Sequence, residues 1–250
     1  MARTLPQLTR LFSPWARGLL EPVSPPLART ADPYQRAVVL DARFLDAGVG
    51  SGRVVNRGRA GLIATAFNGG ARVVTRPDFP EPVLYLPPAG HVILTIAGHW
   101  FGPDQDVTSE VWVYPIQWPN DATFSSSGTG NASTSYGLMI HQNVPCFGWY
   151  ADGITPVTGN RWHHFAASRS RGTVMFWWDG VLQGNVTNVT RHAQCQTWYL
   201  GSSEWRFEGY VGAVRVTLAP RYDRPFHPLA TLYRARAPGG VLPAAAAVRG

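Results

Sequence analysis

From residue 37 to residue 217 the chain is a succession of short apolar or alternating runs, each cut off by Gly, Pro, Asn or Asp. The clearest are AVVLDARF, RVVN, GLIATAF, PVLYL, HVILTIA, VTSEVWVYPI, YGLMIHQ, CFGWYA, HHFAASRS, TVMFWWDG, TWYLG and GYVGAVRVT. Runs this short with a period of two put alternate side chains on opposite faces, which suits strands and not helices. Twelve of them between frequent turns predict an all-β antiparallel two-sheet sandwich. No strand–helix alternation points to a parallel sheet. Composition agrees: 26 Gly and 21 Pro supply turns, and 10 Trp, 9 Tyr and 11 Phe supply bulky residues that suit sheets. A hydrophobic share of 45% excludes a disordered chain. No apolar run reaches about 18 residues, so no membrane-spanning helix is expected.

The chain holds no lysine; all 22 basic residues are Arg, against 15 acids. Their order is uneven. Residues 1–76 hold 11 Arg and 4 acids, residues 77–160 no Arg and 7 acids, residues 161–250 11 Arg and 4 acids. This pattern fits either an arginine surface for nucleic acid or complementary charges within one fold or between subunits. No basic stretch is dense enough for a phosphate-binding footprint, so no nucleic-acid partner is expected.

Residues 1–36 read as an N-terminal arm and a Pro-rich linker. Leu5, Leu8, Phe12, Trp15 and Leu19 recur at steps of three and four, which gathers them on one helical face, although Pro14 would kink it. The stretch is Arg-rich with no acid before Glu21, which also suits a targeting peptide, but it lacks the continuous apolar core of a secretory signal. The other reading is a retained arm that docks on a partner. Residues 37–228 form the expected sandwich, and residues 229–250 are a Pro/Ala/Gly-rich tail.

The most informative segment is residues 162–184. Ser170-Arg171-Gly172 is its first turn, and Asp179-Gly180 its second, because both of those residues tolerate positive φ. His163 and His164 are neighbours on a strand and point to opposite faces, so they are not expected to share a metal ion; one should face the core and the other the surface.

These residues also carry a resemblance. WHHFAASRSRGTVMFWWDGVLQG resembles the signature hairpin of the laminin-G-like, concanavalin A-like lectin/glucanase superfamily, and VTSEVWVYP resembles the family's preceding strand. TWYLGSSEWRFEGYVGAVRVT resembles its closing element, and RYDRPFHP an ending common in the branch found in bacteriophage structural proteins. The positions that carry it, and are expected to be structural, are Trp112, Trp162, His163, Asp179, Gly180, Gly209, Arg215, Tyr222 and Phe226. Gly212-Ala213 departs from it, since many members have an acidic pair there. The resemblance implies a two-sheet jelly roll, with Trp112 and Trp162 in its core. The family's functions run from glycan binding through adhesion to hydrolysis.

Hydrolysis of a glycosidic bond needs two carboxylates about 5–10 Å apart. No cluster of the glucanase kind occurs: Glu110 stands alone in its strand, with Asp104 and Asp106 before it, so no catalytic residue is assigned. Nothing marks Cys146 as an activated thiol, and no phosphate loop or nucleophile elbow is present. No cofactor is expected. Calcium, which many relatives bind, would have Asp41, Asp46, Asp152 and Asp179 as candidate ligands. Cys146 and Cys195 either pair or stay as buried thiols. The sequons at Asn131, Asn185 and Asn188 would matter only in a secretory setting. A glycan site would draw on the polar loop 124–137 and on Trp118, Trp149, Trp198 or Trp205, although each of these Trp more readily fills a core.

The expectation is therefore a non-enzymatic structural protein of a bacteriophage virion: a capsid decoration, head fibre or tail component. Its arm would join other virion proteins in a homo-oligomer, and its sandwich would face outward toward host-surface glycan. The alternatives are a free carbohydrate-binding or adhesion module and a glycan-active hydrolase.

Overall fold

A computed structural model describes residues 32–45, 52–97, 105–118, 121–127, 136–148, 151–187 and 197–228. The arm residues Leu5, Leu8, Phe12, Trp15 and Leu19, the tail from residue 229, and Asp46, Asp104, Trp149 and Cys195 lie outside the described residues.

Strands are numbered in chain order. One sheet has the order β14 (Val181–Val186), β13 (Thr173–Trp178), β12 (His163–Ser170), β7 (Val107–Gln117), β16 (Glu208–Thr217), β1 (Val38–Leu45) and β2 (Arg53–Asn56). In the same sheet β5 (Val83–Leu86) pairs with β16 and β4 (Arg72–Val74) with β5. The second sheet has the order β11 (Ala151–Asp152), β10 (Val144–Phe147), β9 (Gly137–His141), β8 (Asp121–Ser127), β15 (Thr197–Gly201), β6 (His91–Ile96) and β3 (Leu62–Asn68). The long pairings are antiparallel throughout, as the sequence predicts for an all-β sandwich. Among the described residues no helix is long and apolar enough to cross a membrane.

The core lies between the sheets. Val111 and Val113 of β7, Phe165 of β12, Phe176 and Trp178 of β13, and Val214 and Val216 of β16 pack with Phe124, Leu138, Ile140, Trp198 and Leu200 from the second sheet. Each large apolar side chain buried this way contributes roughly 1.5–3 kcal/mol before ordering costs. The aromatics interlock edge to face: Phe124 meets Phe207 at 4.9 Å and Phe165 meets Trp178 at 5.5 Å between ring centroids.

Both expected turns of the signature hairpin form. Arg171 and Gly172 have φ of 49° and 81°, and Asp179 and Gly180 52° and 78°. The strand β8 departs from expectation, because Phe124 to Ser127 had the composition of a loop. Its serines are buried, and two of them are bonded: Ser125 Oγ accepts from Trp198 Nε1 at 2.7 Å, and Ser127 Oγ from the Tyr136 amide at 2.9 Å. Small hydroxyls that find partners inside cost little to bury, and composition alone does not reveal such partners. The short strands β4 and β11 were also invisible as separate runs.

The uneven charge order is resolved within the fold. Glu81, from the Arg-free middle of the chain, meets Arg43 at 2.8 Å and Arg57 at 3.9 Å. Glu110, from the same stretch, meets Arg215 at 2.6 Å and Arg221 at 3.4 Å. Two of the middle acids are thus matched to arginines of the two flanks, Glu81 to the first and Glu110 to the second, and Arg43 and Arg215 are buried.

Candidate functional site

The outer face of the first sheet holds a buried network of ionisable side chains. Register sets it out in rows. One row crosses the strands as Asp41, Arg215, Glu110, Ala166 and Trp177. Trp112 and His164 sit in the adjacent row. An outer face would ordinarily be wet, yet Glu110 is 1%, His164 2% and Arg215 3% exposed. The covering comes from the segment after β16. Thr108 Oγ1 lies 2.8 Å from the Ala219 carbonyl and accepts from the Arg221 amide at 2.9 Å. Tyr222 and Phe226 stack on each other at 3.8 Å, and both rings meet Trp177. The Phe226 amide donates to the Gly180 carbonyl at 3.1 Å. A Cβ at Gly180 would collide with the Phe226 carbonyl, and its φ of 78° is one that glycine adopts freely.

Beneath this cover Glu110 gathers three donors. Arg215 Nε donates at 2.6 Å, the Tyr222 hydroxyl at 2.6 Å, and His164 Nε2 lies at 3.2 Å. Burial alone would raise the Glu110 carboxyl; the Arg215 guanidinium, the His164 hydrogen bond and Arg221 outweigh it and hold the group well below the usual carboxylate range. Burial, then the Glu110 charge, pushes the Tyr222 phenol up. Asp41 is the next carboxylate along the row, roughly 10 Å away across one intervening strand. That spacing would suit an inverting glycosidase. Arg215 fills the interval, however, Asp41 is itself bonded to Arg43 at 2.6 Å, and the two carboxylate side chains are 1% and 6% exposed. The face leaves no room for a sugar between them.

The other end of the same face is open. Here a row of large side chains crosses four strands: Arg72, Tyr85, Tyr210 and Tyr114 are successive register partners on β4, β5, β16 and β7. Trp162, just before β12, extends it with its ring 5.5 Å from Tyr114. All four aromatics are half-buried, so their rings are anchored yet partly solvent-facing. Tyr85 and Tyr210 lie 5.2 Å apart, and Tyr114 and Tyr210 5.8 Å. Arg76 spreads its guanidinium over Tyr114 at 4.3 Å and Tyr210 at 4.2 Å, and Arg72 lies over Tyr85 at 4.5 Å. Asp78 holds Arg76 through two bonds of 2.8 and 2.7 Å, and Glu208 accepts from the Tyr85 hydroxyl at 3.0 Å. Flat apolar rings beside fixed donors and acceptors can stack on a sugar ring and orient its hydroxyls.

A β-bulge makes this row possible. Register shifts between Val211 and Ala213, so Tyr210 shares the outer face with Ala213 and Arg215 although strict alternation would oppose them. The Phe79 ring covers Gly212 so closely that a Cβ there would run into it.

The expected structural residues fall mostly on this face. Arg215, Tyr222 and Phe226 are parts of the Glu110 network and its cover. Gly209 brings β16 against the Tyr114 carbonyl. Trp112 is buried in a hydrophobic cluster, as expected of a core residue, but that cluster, with Phe79, Val83 and Ala213, lies on the outer face and not between the sheets; Trp162 corrects the expectation, being only partly buried against it. The reason is parity, since Trp112 alternates with the core residues Val111 and Val113. His164 corrects the expectation of a surface residue. His163 faces the core as expected and stacks on Trp178 at 4.6 Å. Asp179 does more than shape a turn: it accepts from the His164 amide at 2.9 Å and meets His163 Nδ1 at 2.7 Å. Burial opposes its charge, but those bonds hold its carboxyl below the ordinary value.

The three calcium candidates among the described residues are committed to other partners. Asp41 is bonded to Arg43, Asp179 to His163, and Asp152 to His141 at 2.8 Å. Among the described residues no group of three or more His, Cys, Asp or Glu side chains could hold a metal ion. Cys146 is buried and its thiol donates to the Gly148 carbonyl at 3.1 Å; burial, then Asp152 and Asp121, pushes it up, away from the thiolate. Of the glycan-site tryptophans, Trp198 is core, Trp118 donates to Asn143 Oδ1 at 2.9 Å, and Trp205 packs on Met139 and Cys146. The sequence reading missed Tyr85, Tyr114, Tyr210 and Arg76. The spacing of Glu110, Trp112 and Tyr114 gave the signal for one strand; the bulge hid the rest.

A family model described as the concanavalin A-like lectin/glucanases superfamily, of laminin-G type, matches residues 89–220. No curated protein matches the chain. Among solved structures, the binding domain of botulinum neurotoxin DC, in complex with rat synaptotagmin II, superposes with a TM-score of 0.58 at 13% identity. The match covers 76% of this chain and 50% of that one, so the chain spans about half the length of the neurotoxin domain. Domain 4 of an extracellular arabinanase from Geobacillus stearothermophilus, in complex with arabinotriose, matches with a TM-score of 0.53 at 17% identity, over 72% of this chain and 94% of that one.

Proposed function

Because the chain belongs to the concanavalin A-like lectin/glucanase superfamily, we propose that it is a non-enzymatic structural protein of a bacteriophage particle, a capsid decoration, head fibre or tail component, whose sandwich faces outward and binds host-surface glycan. The observation that carries the binding role is the half-open row Arg72, Tyr85, Tyr210, Tyr114 and Trp162 on the first sheet. The row runs roughly 14 Å across three inter-strand steps, which suits an oligosaccharide better than a single ring. Arg72 and Arg76 donate to hydroxyls, and Asp78 and Glu208 accept from them. A non-enzymatic role is supported by Glu110, whose charge is committed to Arg215 under a sealed cover. The structural neighbours that bind a protein receptor and an arabinan fragment support recognition as the use of this fold. The phage setting is supported by RYDRPFHP and by the apolar stripe of the arm.

Two measurements test this reading. Retention on a panel of bacterial surface polysaccharides should fall about threefold to tenfold for Tyr114→Ala and Tyr210→Ala, in line with the loss of one stacked ring, while near-ultraviolet circular dichroism shows an intact fold. Retention that is unaltered in both variants would remove the row as the site. Mass spectrometry of purified particles should find the chain with residues 1–30 present, and deleting those residues should leave a folded sandwich that no longer joins the particle. A soluble monomer that binds glycan but never enters a particle would instead establish the free carbohydrate-binding module.

A further inference from the structure

The edges of the two sheets are guarded unequally. Natural edge strands are kept from pairing with other chains by charge, shortness, proline or bulges. In the described structure β11 has two residues, β2 has four and carries Arg53, and β14 contains Gly184 and faces a break in register at Phe176/Trp177. The edge strand β3 has seven residues, LIATAFN, with no charge and no proline, and its one break in register is confined to its start, between Leu62 and Ala64. It pairs with β6 in unbroken register from Ala64 to Asn68, and within the described residues its other side pairs with no strand. Ile63 is 67% exposed, and Ala64 and Ala66 are exposed as well. Beside it lies an open cleft of about 330 Å³ whose lining includes Arg53, Val54 and Phe67.

We infer that β3 pairs antiparallel with β3 of a second copy of this chain, about a two-fold axis at Thr65, joining the two second sheets edge to edge. Three features select a second copy as the occupant. The strand reads alike in both directions from Thr65: Ala on each side, then Ile63 and Phe67. An isologous pair therefore sets Ala64 against Ala66 and Ile63 against Phe67, twice over. No charge stands on the strand itself, so in a chain with net charge +7 the paired backbones meet without like charges opposed across the ladder; the nearest charge is Arg53, in the lining of the cleft. Ile63 of one copy falls opposite Phe67 of the other, at the cleft that Phe67 lines, which gives the bulged and exposed side chain a place to be covered. A single seven-residue edge buries less than a standard interface, so the dimer is weak and dissociates on dilution.

The test is sedimentation velocity of the full chain over a dilution series. The expected result is a reversible monomer–dimer equilibrium. In the double variant Ala64→Lys, Ala66→Lys, each lysine faces a lysine of the second copy, and the dissociation constant should rise by about tenfold or more. Both positions are exposed, so near-ultraviolet circular dichroism should show an intact fold. Register is read separately. Thr65→Cys should form an intermolecular disulfide under mild oxidation, because directly opposed Cα atoms are about 4.5–5.5 Å apart. Asn68→Cys should not, because its two copies would lie roughly 20 Å apart along the strands. A chain that is monomeric at every concentration overturns the inference. So does a dimer indifferent to the two lysines, as an arm-mediated dimer would be, or cross-linking through residue 68 in place of residue 65.

Discussion

Replacing Glu110 by Gln keeps the shape of the side chain and removes its charge. The carboxylate accepts from Arg215 and Tyr222 at 2.6 Å each, faces His164 at 3.2 Å, and is 1% exposed. Neutralising it leaves the Arg215 guanidinium buried beside an amide, one end of which turns a donor toward a donor. Breaking a buried pair in this way costs roughly 3–5 kcal/mol. In a domain of this size each kcal/mol moves the melting temperature by about 2–4 °C, so the variant should melt roughly 6–20 °C lower at neutral pH. The pH dependence carries a sign. The folded carboxyl titrates well below the ordinary value, and an unfolded Glu titrates near about 4.3. Its stabilisation is therefore complete above the unfolded value and lost as pH falls through the folded one. Thermal melts followed by circular dichroism, from neutral pH down to about pH 3, should show the gap between natural chain and variant shrinking on the acid side. A neutral-pH melting temperature within about 2 °C of the natural chain, or a gap that stays constant through the acid range, would refute the account of Glu110 as a buried, fully compensated charge.

Asp179→Ala should lose about 2 kcal/mol, a value reduced for its 37% exposed side chain, because the His163 and His164 bonds go with it; Asp179→Asn, which keeps the turn, should recover part of that in chemical denaturation. Phe226→Ala should loosen the cover without unfolding the sandwich, read as faster proteolysis after residue 217 and a red-shifted Trp177 emission. Trp162→Ala, at the partly buried end of the outer cluster, should cost about 1–2 kcal/mol, less than the roughly 3–5 expected for Trp178→Ala in the core. Equal losses from the two tryptophan variants would contradict the separation of the clusters.

Much of the sandwich was legible because its signals are local. The hairpin at 162–184 needed only a period of two and an Asp-Gly pair, and both turns have the positive φ that the pair implies. The loop-like composition of FSSS misled because the partners of those serines, Trp198 and Tyr136, lie elsewhere in the chain. The outer face was hidden in the same way. Alternation says that Glu110, Trp112 and Tyr114 share a side of β7, but not whether that side is wet, since its cover arrives from residues 218–228.

The sequence by itself determined the fold class and the hairpin, because periodicity and turn chemistry are properties of neighbouring residues. Only the tertiary structure decided that Glu110 is sealed with Arg215 and Tyr222, and that Tyr85, Tyr210 and Tyr114 stand in one open row. Register, the β-bulge of β16 between Val211 and Ala213 and the covering segment fix those placements, and all three depend on residues brought together from distant parts of the chain.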